Sequence, residues 1–338
     1  MNNNRTSKTA EATLAYQSLG PEQIMDAVET QGYVCDGRLL ALNSYENRVY
    51  QVGLEDTDPI IAKFYRPNRW TDEAIQEEHD FAWELVETEI PVIAPLKNKA
   101  GKSLHNHHHF RFALFERCGG RPPELDNVDH LEQLGRFLGR IHVVGKSSVF
   151  MHRPALTIES FGEESYKYVL NNGFIPKELE TAYRSLAEDL LQRIQWCYER
   201  AGDVEALRLH GDCHPSNILW TEDGPHIVDL DDSRTGPAAQ DLWMFLSGDR
   251  ADQTQSLDIL LEGYTEFCDF NARDLHLIEA LRTLRMIYYH AWLARRWDDP
   301  AFPRAFPWFN TQQCWEQHIL DLREQAAMMN EAPLTWMG

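Results

Sequence analysis

The stretch HGDCHPSN, His210 to Asn217, sets a carboxylate, Asp212, five positions ahead of an amide, Asn217. On a loop leaving a strand, that spacing lets both side chains face one cleft. The carboxylate can then accept a hydrogen bond from an acceptor hydroxyl while the amide oxygen holds a metal ion. Pro215 stiffens the bend by fixing its own φ. A short way on, the run IVDLDDS ends an apolar stretch with Asp229, Asp231 and Asp232. Acids this close repel one another, and a bound divalent cation relieves the repulsion. An isolated Asp-Asp pair belongs to an exposed turn. Two acidic clusters, each abutting an apolar run and separated by a short hairpin, point to phosphoryl transfer from ATP instead. That chemistry needs a cation on the phosphates, oxygens for a metal, a carboxylate near the acceptor hydroxyl and a cover that excludes water.

The elements that must carry these residues change texture along the chain. Up to about Cys118, short β-like runs (GRLLALNSYENRVYQVGL, PIIAKFYR, FRFALFER) are separated by turn-prone Asp, Pro, Asn and Gly. One helix interrupts them, TDEAIQEEHDFAWELVETE, with Thr71 as N-cap and acids in its first turn. After Gly119-Gly120 the runs VDHLEQLGRFLGRIHVVG, PKELETAYRSLAEDLLQRIQWCYER, QSLDILLEGYTEFC and HLIEALRTLRMIYYHAWLARRW place apolar residues at helical intervals. The exception is the segment around HGDCHPSN, where the apolar runs LRL and HIVDL flank a polar loop and a turn at Asp223-Gly224. The expected class is α+β, with a polar start over residues 1–18, a β-rich small lobe over 19–118 and a mainly helical large lobe over 119–338.

Composition narrows the function classes. With 338 residues and 43% hydrophobic side chains the chain can bury a proper core. No run of about 18 apolar residues is present, so no membrane-spanning helix is expected. No apolar segment follows Arg5 and Lys8, which argues against a secretory signal. The six cysteines are scattered without a CxxC pair, as expected for reduced thiols in the cytoplasm. A net charge of −21 argues against a nucleic-acid partner, which needs basic surface to displace counterions. A nucleotide remains admissible, because a small cleft can be locally positive on an acidic protein. The histidines of HNHHH (His105, His107, His108, His109) sit between two β-like runs and read as a hairpin turn more readily than as a metal site.

HGDCHPSNILW followed by IVDLDDSRTGPAAQDLW resembles the aminoglycoside phosphotransferase and choline kinase branch of the protein-kinase-like superfamily. LNSYENRVYQ, KFYRPNRW, the EEH helix, QDLW and WDDPAFPRAFPW resemble, more narrowly, the bacterial stress response kinases, and the resemblance runs from about Leu19 to about Pro333. It implies a bilobal kinase-like fold and an ATP- and Mg2+-dependent kinase acting on Ser or Thr of a protein acceptor, itself included, as a monomer. Asp212 then matches the catalytic base. Asn217 and Asp229 match the two metal-holding positions, Asp229 sharing in catalysis. Asp241 of QDLW matches an aspartate that braces the catalytic loop. Lys63 matches the lysine that pairs with phosphates, and Glu78 its partner on the following helix, with Glu77 an open alternative. Lys63 on an edge strand would instead face solvent. NSYENRVY stands where a glycine-rich loop would, and Ser44 is the expected nucleotide contact, with Asn47 a second donor. Glu116 and Cys118 fall at the hinge, where backbone groups meet adenine. Asp231 and Asp232 have no assured counterpart.

Three other readings stay open at this point. A small-molecule kinase would use the same Asp212, Asn217 and Asp229 on an amino alcohol or sugar. A metal-dependent hydrolase would ligate zinc or iron through His210, Asp212 and His214, but it leaves Asn217, Asp229 and Lys63 without a task. A catalytically dead scaffold is disfavoured, since no required residue type is missing.

Overall fold

A computed structural model describes residue 16 and residues 18–336; most of the polar start expected over 1–18 lies outside them. Tyr16, inside that stretch, is buried, and its hydroxyl donates to the Phe64 carbonyl at 2.9 Å. The chain divides into two compact units. One runs to Pro122 and takes in Ile218–Asp231; the other comprises Pro123–Asn217 and the chain from Asp232 onward.

The first unit is built on a five-stranded antiparallel sheet with β1 at Cys35–Ala41, β2 at Arg48–Leu54, β3 at Ile60–Phe64, β4 at His105–His107 and β5 at Phe110–Glu116, in the order β1-β2-β3-β5-β4. Its core forms where Val52, Ile60, Ala62, Phe64, Phe112 and Leu114 meet Ile24, Ala27 and Val28 of helix α1 (Pro21–Glu29). Helix α2, Asp72–Glu87, starts where Thr71 accepts a hydrogen bond from the Ala74 N–H at 3.2 Å, satisfying one of the donors a helix start leaves open. The histidine run is a hairpin: His105 and His107 lie in β4 and His108 takes the turn at φ 52°.

The two units do not divide at a single point in the chain. Strands β6 (Ala206–Leu209), β7 (Ile218–Thr221), β8 (Gly224–Ile227) and β9 (Arg234–Pro237) do not form one inserted sheet. The β7–β8 hairpin packs in the first unit, where Trp220 and Arg121 exchange backbone hydrogen bonds and Ile227 bridges Pro91 and Ile93. Strand β6 pairs instead with β9 in the second unit. The sequence RTGP of β9 carries no β-like alternation, so pairing to β6 rather than propensity makes it a strand.

In the second unit helix α3, Val128–Lys146, crosses α7, Arg250–Thr265, at close range; the helices between them in sequence are α4 (Glu164–Asn171), α5 (Lys177–Ala201) and α6 (Ala239–Leu242). A Cβ at Gly139 would lie 2.5 Å from the Tyr264 carbonyl oxygen, so only a bare backbone permits this crossing. Helices α8 (Ile278–Arg295), α9 (Ala301–Ala305) and α10 (Gln312–Met328) complete the unit. Its main core joins Tyr183, Leu190 and Ile194 of α5 to Leu281, Leu284 and Ile287 of α8 and to Trp315 of α10. No helix among the described residues is long and apolar enough to cross a membrane.

Candidate active site

Lys63 sits on β3, the middle strand, with neighbours on both sides, so the edge-strand alternative fails. The side chain is 6% exposed. Its Nζ lies 3.3 Å from Glu78 Oε1, 3.0 Å from Asp229 Oδ1 and 3.4 Å from Asp231 Oδ1. Burial alone would push the Lys63 pKa down, but Asp231, Glu78 and Asp229 together outweigh it and hold the ammonium well above its usual range. Glu78 rather than Glu77 is the partner, because α2 turns Glu78 into the buried face. The next residue explains why: His79 is buried between the Tyr65 hydroxyl at 2.7 Å and Ser103 Oγ at 2.8 Å, which fixes the rotation of the helix against the end of β3.

Asp231, left without a role by the sequence, is part of the same cluster. Its carboxylate is shared between Lys63 and Arg69, and Arg69 in turn faces Glu46, which also pairs with Arg66 at 3.1 Å. Three cations thus meet four carboxylates. The side chains of Glu78 and Asp231 are almost wholly enclosed, whereas that of Asp229 is 55% exposed. Asp229 also takes φ 61°, a left-handed conformation uncommon outside glycine and most tolerated by Asn and Asp. A surplus carboxylate turned to solvent on a strained backbone suits a divalent cation.

Between β1 and β2 the loop around Ser44 is pinned from below. Arg66 donates to the carbonyls of Glu46 at 2.9 Å and Tyr45 at 3.2 Å, and its own N–H donates to Asn47 Oδ1 at 3.0 Å. Asn47 is buried and its amide oxygen holds the loop's shape, while Ser44 is half-buried. Glu116 closes β5 opposite Ile60, and Cys118 follows with its thiol donating to the Gly119 carbonyl at 3.2 Å. Burial raises the Cys118 thiol, and Arg117 only partly offsets it, so this cysteine stays protonated.

In the second unit the loop after β6 carries Asp212. It is held by Asp241, fully buried, whose Oδ2 accepts the His210 N–H at 2.8 Å and whose Oδ1 accepts the Gly211 N–H at 2.9 Å. Asp241 is itself fixed by His142 Nε2 at 3.3 Å, and His142 Nδ1 meets the Tyr264 hydroxyl at 2.9 Å. The close α3–α7 crossing is what brings His142 to Tyr264. Gly211 has φ +84°, and a Cβ there would lie 2.3 Å from the Asp232 carbonyl oxygen. A left-handed φ and this close approach make position 211 a glycine site.

Asp212 is reached by Arg285 of α8, with Nη2 2.6 Å from Oδ1, and by His214 Nε2 3.6 Å from Oδ2. Burial pushes this carboxyl up, but His214 and Arg285 overcome burial and hold it below the ordinary carboxylate value. Asn217, ending the turn Pro215–Asn217, donates its amide N–H to the Asp212 carbonyl at 3.0 Å, which leaves the amide oxygen for a metal. Among the described residues no three His, Cys, Asp or Glu side chains gather as a metal-holding set, so His210, Asp212 and His214 do not form the trio a hydrolase would need. Arg69, His142 and Arg285 were missed from sequence, and Asp231 was noted there without an assured role. Arg69 and Asp231 lie near Lys63 only through folding, and Arg285 sits in a run whose spacing reads as core.

Comparison with known proteins agrees with this geometry. Residues 38–278 match the model of the phosphotransferase enzyme family. The chain is 46% identical to stress response kinase A of Escherichia coli (strain K12) over 96% of this chain and 97% of that one. It is 45% identical to the serine/threonine protein kinase RdoA of Salmonella typhimurium over 94% and 96% of the two chains. Among solved structures, amicoumacin kinase hAmiN, crystallised with AMP-PNP and Ca2+, shares the fold at a TM-score of 0.69 and 19% identity, covering 92% of this chain and 94% of that one. Buried lysine, paired glutamate, braced loop and sequence likeness converge: the chain belongs to the phosphotransferase enzyme family, in the branch that holds the stress response kinases, and is a kinase of α+β kinase-like fold.

Proposed function

We propose that the chain is a stress-response serine/threonine protein kinase that moves the γ-phosphoryl group of ATP to a protein hydroxyl, with Mg2+ as its metal. The observation that carries the nucleotide half is the Lys63 ammonium, buried and shared by Glu78, Asp229 and Asp231. A fully charged lysine held this rigidly is suited to phosphate oxygens. The acceptor half is supported by the likeness to a relative named as a serine/threonine protein kinase.

Each group then has one task. Lys63 pairs with the phosphates and Glu78 fixes its direction. Ser44 donates to the phosphates from the β1–β2 loop, and the backbone at Glu116 and Cys118 meets adenine. Asp229 and Asn217 would each offer an oxygen to Mg2+, which when bound would neutralise charge on the phosphates. Asp212 receives the proton of the acceptor hydroxyl as the oxygen–phosphorus bond forms and the bond to the β–γ bridging oxygen breaks. Held below the ordinary carboxylate value, Asp212 is ionised at neutral pH and ready to orient that hydroxyl.

Purified protein given labelled ATP and Mg2+ should label itself or a generic Ser/Thr protein substrate. Asp212→Ala should reduce the rate by about 10²- to 10⁴-fold while leaving the unfolding transition in place. Persistent activity in a folded Asp212→Ala protein would remove the base assignment.

A further inference from the structure

The base is not the only charged group that an acceptor meets. Arg285 projects from α8 to Asp212, and both side chains keep solvent access, 34% for Arg285 and 22% for Asp212. Among the described residues Arg285 makes no other ion pair or hydrogen bond, so most of its five N–H donors remain available. The helix beneath it is anchored by Leu281, Leu284 and Ile287, all fully or nearly fully buried, so the guanidinium is presented from a rigid base.

The neighbouring arginines are engaged elsewhere. Arg282 pairs with Glu279 at 3.1 Å and lies over Trp243. Arg295 lies over Tyr168 and Tyr288, and Arg296 over Trp292. Asp232, whose charge also acts on Asp212, pairs with Arg234 at 2.7 Å. Beside the Asp212 carboxylate the permanent cation is the Arg285 guanidinium, although the whole chain carries a net charge of −21. Long-range repulsion by that net charge is screened within about 8–10 Å at physiological salt, so the guanidinium decides at contact.

Taking the kinase reading as its premise, we infer that Arg285 is a specificity-determining residue that selects acceptors carrying a carboxylate or other anionic group beside the reacting hydroxyl. A guanidinium fork grips such a group through paired charge-assisted hydrogen bonds while its other nitrogen stays on Asp212. An ammonium at the same place meets repulsion from the same fork. For a protein acceptor this means Ser or Thr flanked by Asp or Glu. The inference also separates this chain from kinases of cationic amino alcohols, whose acceptor would bring its charge against Arg285.

The test is a ratio, which cancels any general loss of folded enzyme. Two peptides of equal length, one with a central Ser flanked by Glu and one with the Ser flanked by Lys, are assayed for kcat/KM with Mg-ATP. The wild-type protein should prefer the Glu-flanked peptide by roughly tenfold or more, the size of one charge-assisted hydrogen bond. Arg285→Gln should bring the two peptides to near parity through KM for the acidic one, and Arg285→Lys should keep the preference in weakened form. A preference that survives in Arg285→Gln, or a wild-type preference for the Lys-flanked peptide, overturns the role of Arg285 while leaving the kinase reading intact. ATP turnover with neither peptide but with a cationic amino alcohol overturns both.

Discussion

Around Lys63 an ammonium is held by carboxylates from α2 and from the segment after β8, whereas the loop carrying Asp212 is held by its own backbone N–H groups converging on one carboxylate, Asp241. The first arrangement fixes a charge by surrounding it with opposite charge. The second fixes a shape by satisfying donors that a buried turn would otherwise leave open. The difference shows in exposure: Asp241 is fully buried and touches only protein, while Asp229 belongs to the Lys63 cluster and yet faces solvent. A charge cluster can afford one member for a ligand; a backbone brace cannot.

This contrast can be broken at its strongest point first. Asp241→Ala leaves the N–H groups of His210 and Gly211 buried without their acceptor, and a loss of about 3–5 kcal/mol is expected, with loss of kinase activity. Asp241→Asn keeps an acceptor oxygen and should cost clearly less in a urea titration; equal costs would show that geometry is not what Asp241 supplies.

Lys63→Met comes next. It leaves Glu78 and Asp231 enclosed without their shared cation, for an expected loss of about 3 kcal/mol and a weakened use of ATP. The double variant with Glu78→Gln should recover part of the stability but none of the ATP use, a non-additivity that strict shape control would not produce.

Gly211→Ala is a smaller and purely geometric insult. The left-handed φ and the carbonyl of Asp232 predict a loss of about 2 kcal/mol in thermal or denaturant unfolding, with a fall in kcat rather than in ATP affinity.

The smallest effect concerns pH. The Asp212 carboxyl sits below its ordinary value, so protonation of this group is not expected to limit the rate between pH 5 and 7. Its contribution to stability is present above the unfolded pKa and is lost only as pH falls through the lowered folded value. Arg285→Gln removes one of the causes and should move the acid limb of the rate profile upward, read from kcat against pH with a constant buffer ionic strength.

Much of the chemistry was legible because it depends on residue type and short spacing. Asp212 with Asn217, the Asp229 cluster, Lys63 in an apolar run and Thr71 as an N-cap are all local statements. Glu78 over Glu77 was half-legible: helical spacing admits both, and the choice fell to His79, whose partners Tyr65 and Ser103 are distant in sequence. The grip of the Asn47 amide oxygen on the Arg66 N–H was not legible, because a loop amide has no visible partner until folding places one. The short strand β9 was invisible because its residues carry no β pattern and its pairing is with β6, across the whole catalytic segment.

By itself the sequence determined the reaction class and marked Asp212, Asn217, Asp229 and Lys63 as its candidate residues, since each reading follows from the chemistry of a residue and its near neighbours. Only the tertiary structure decided that Asp231 binds Lys63 and Arg69, that the β7–β8 hairpin belongs with the first unit, that His142 supports Asp241 through the α3–α7 crossing, and that Arg285 stands beside Asp212. The physical reason is the same in each case. A buried charge or donor is stabilised by whichever partner folding brings within hydrogen-bonding distance, and separation along the chain carries no information about that distance.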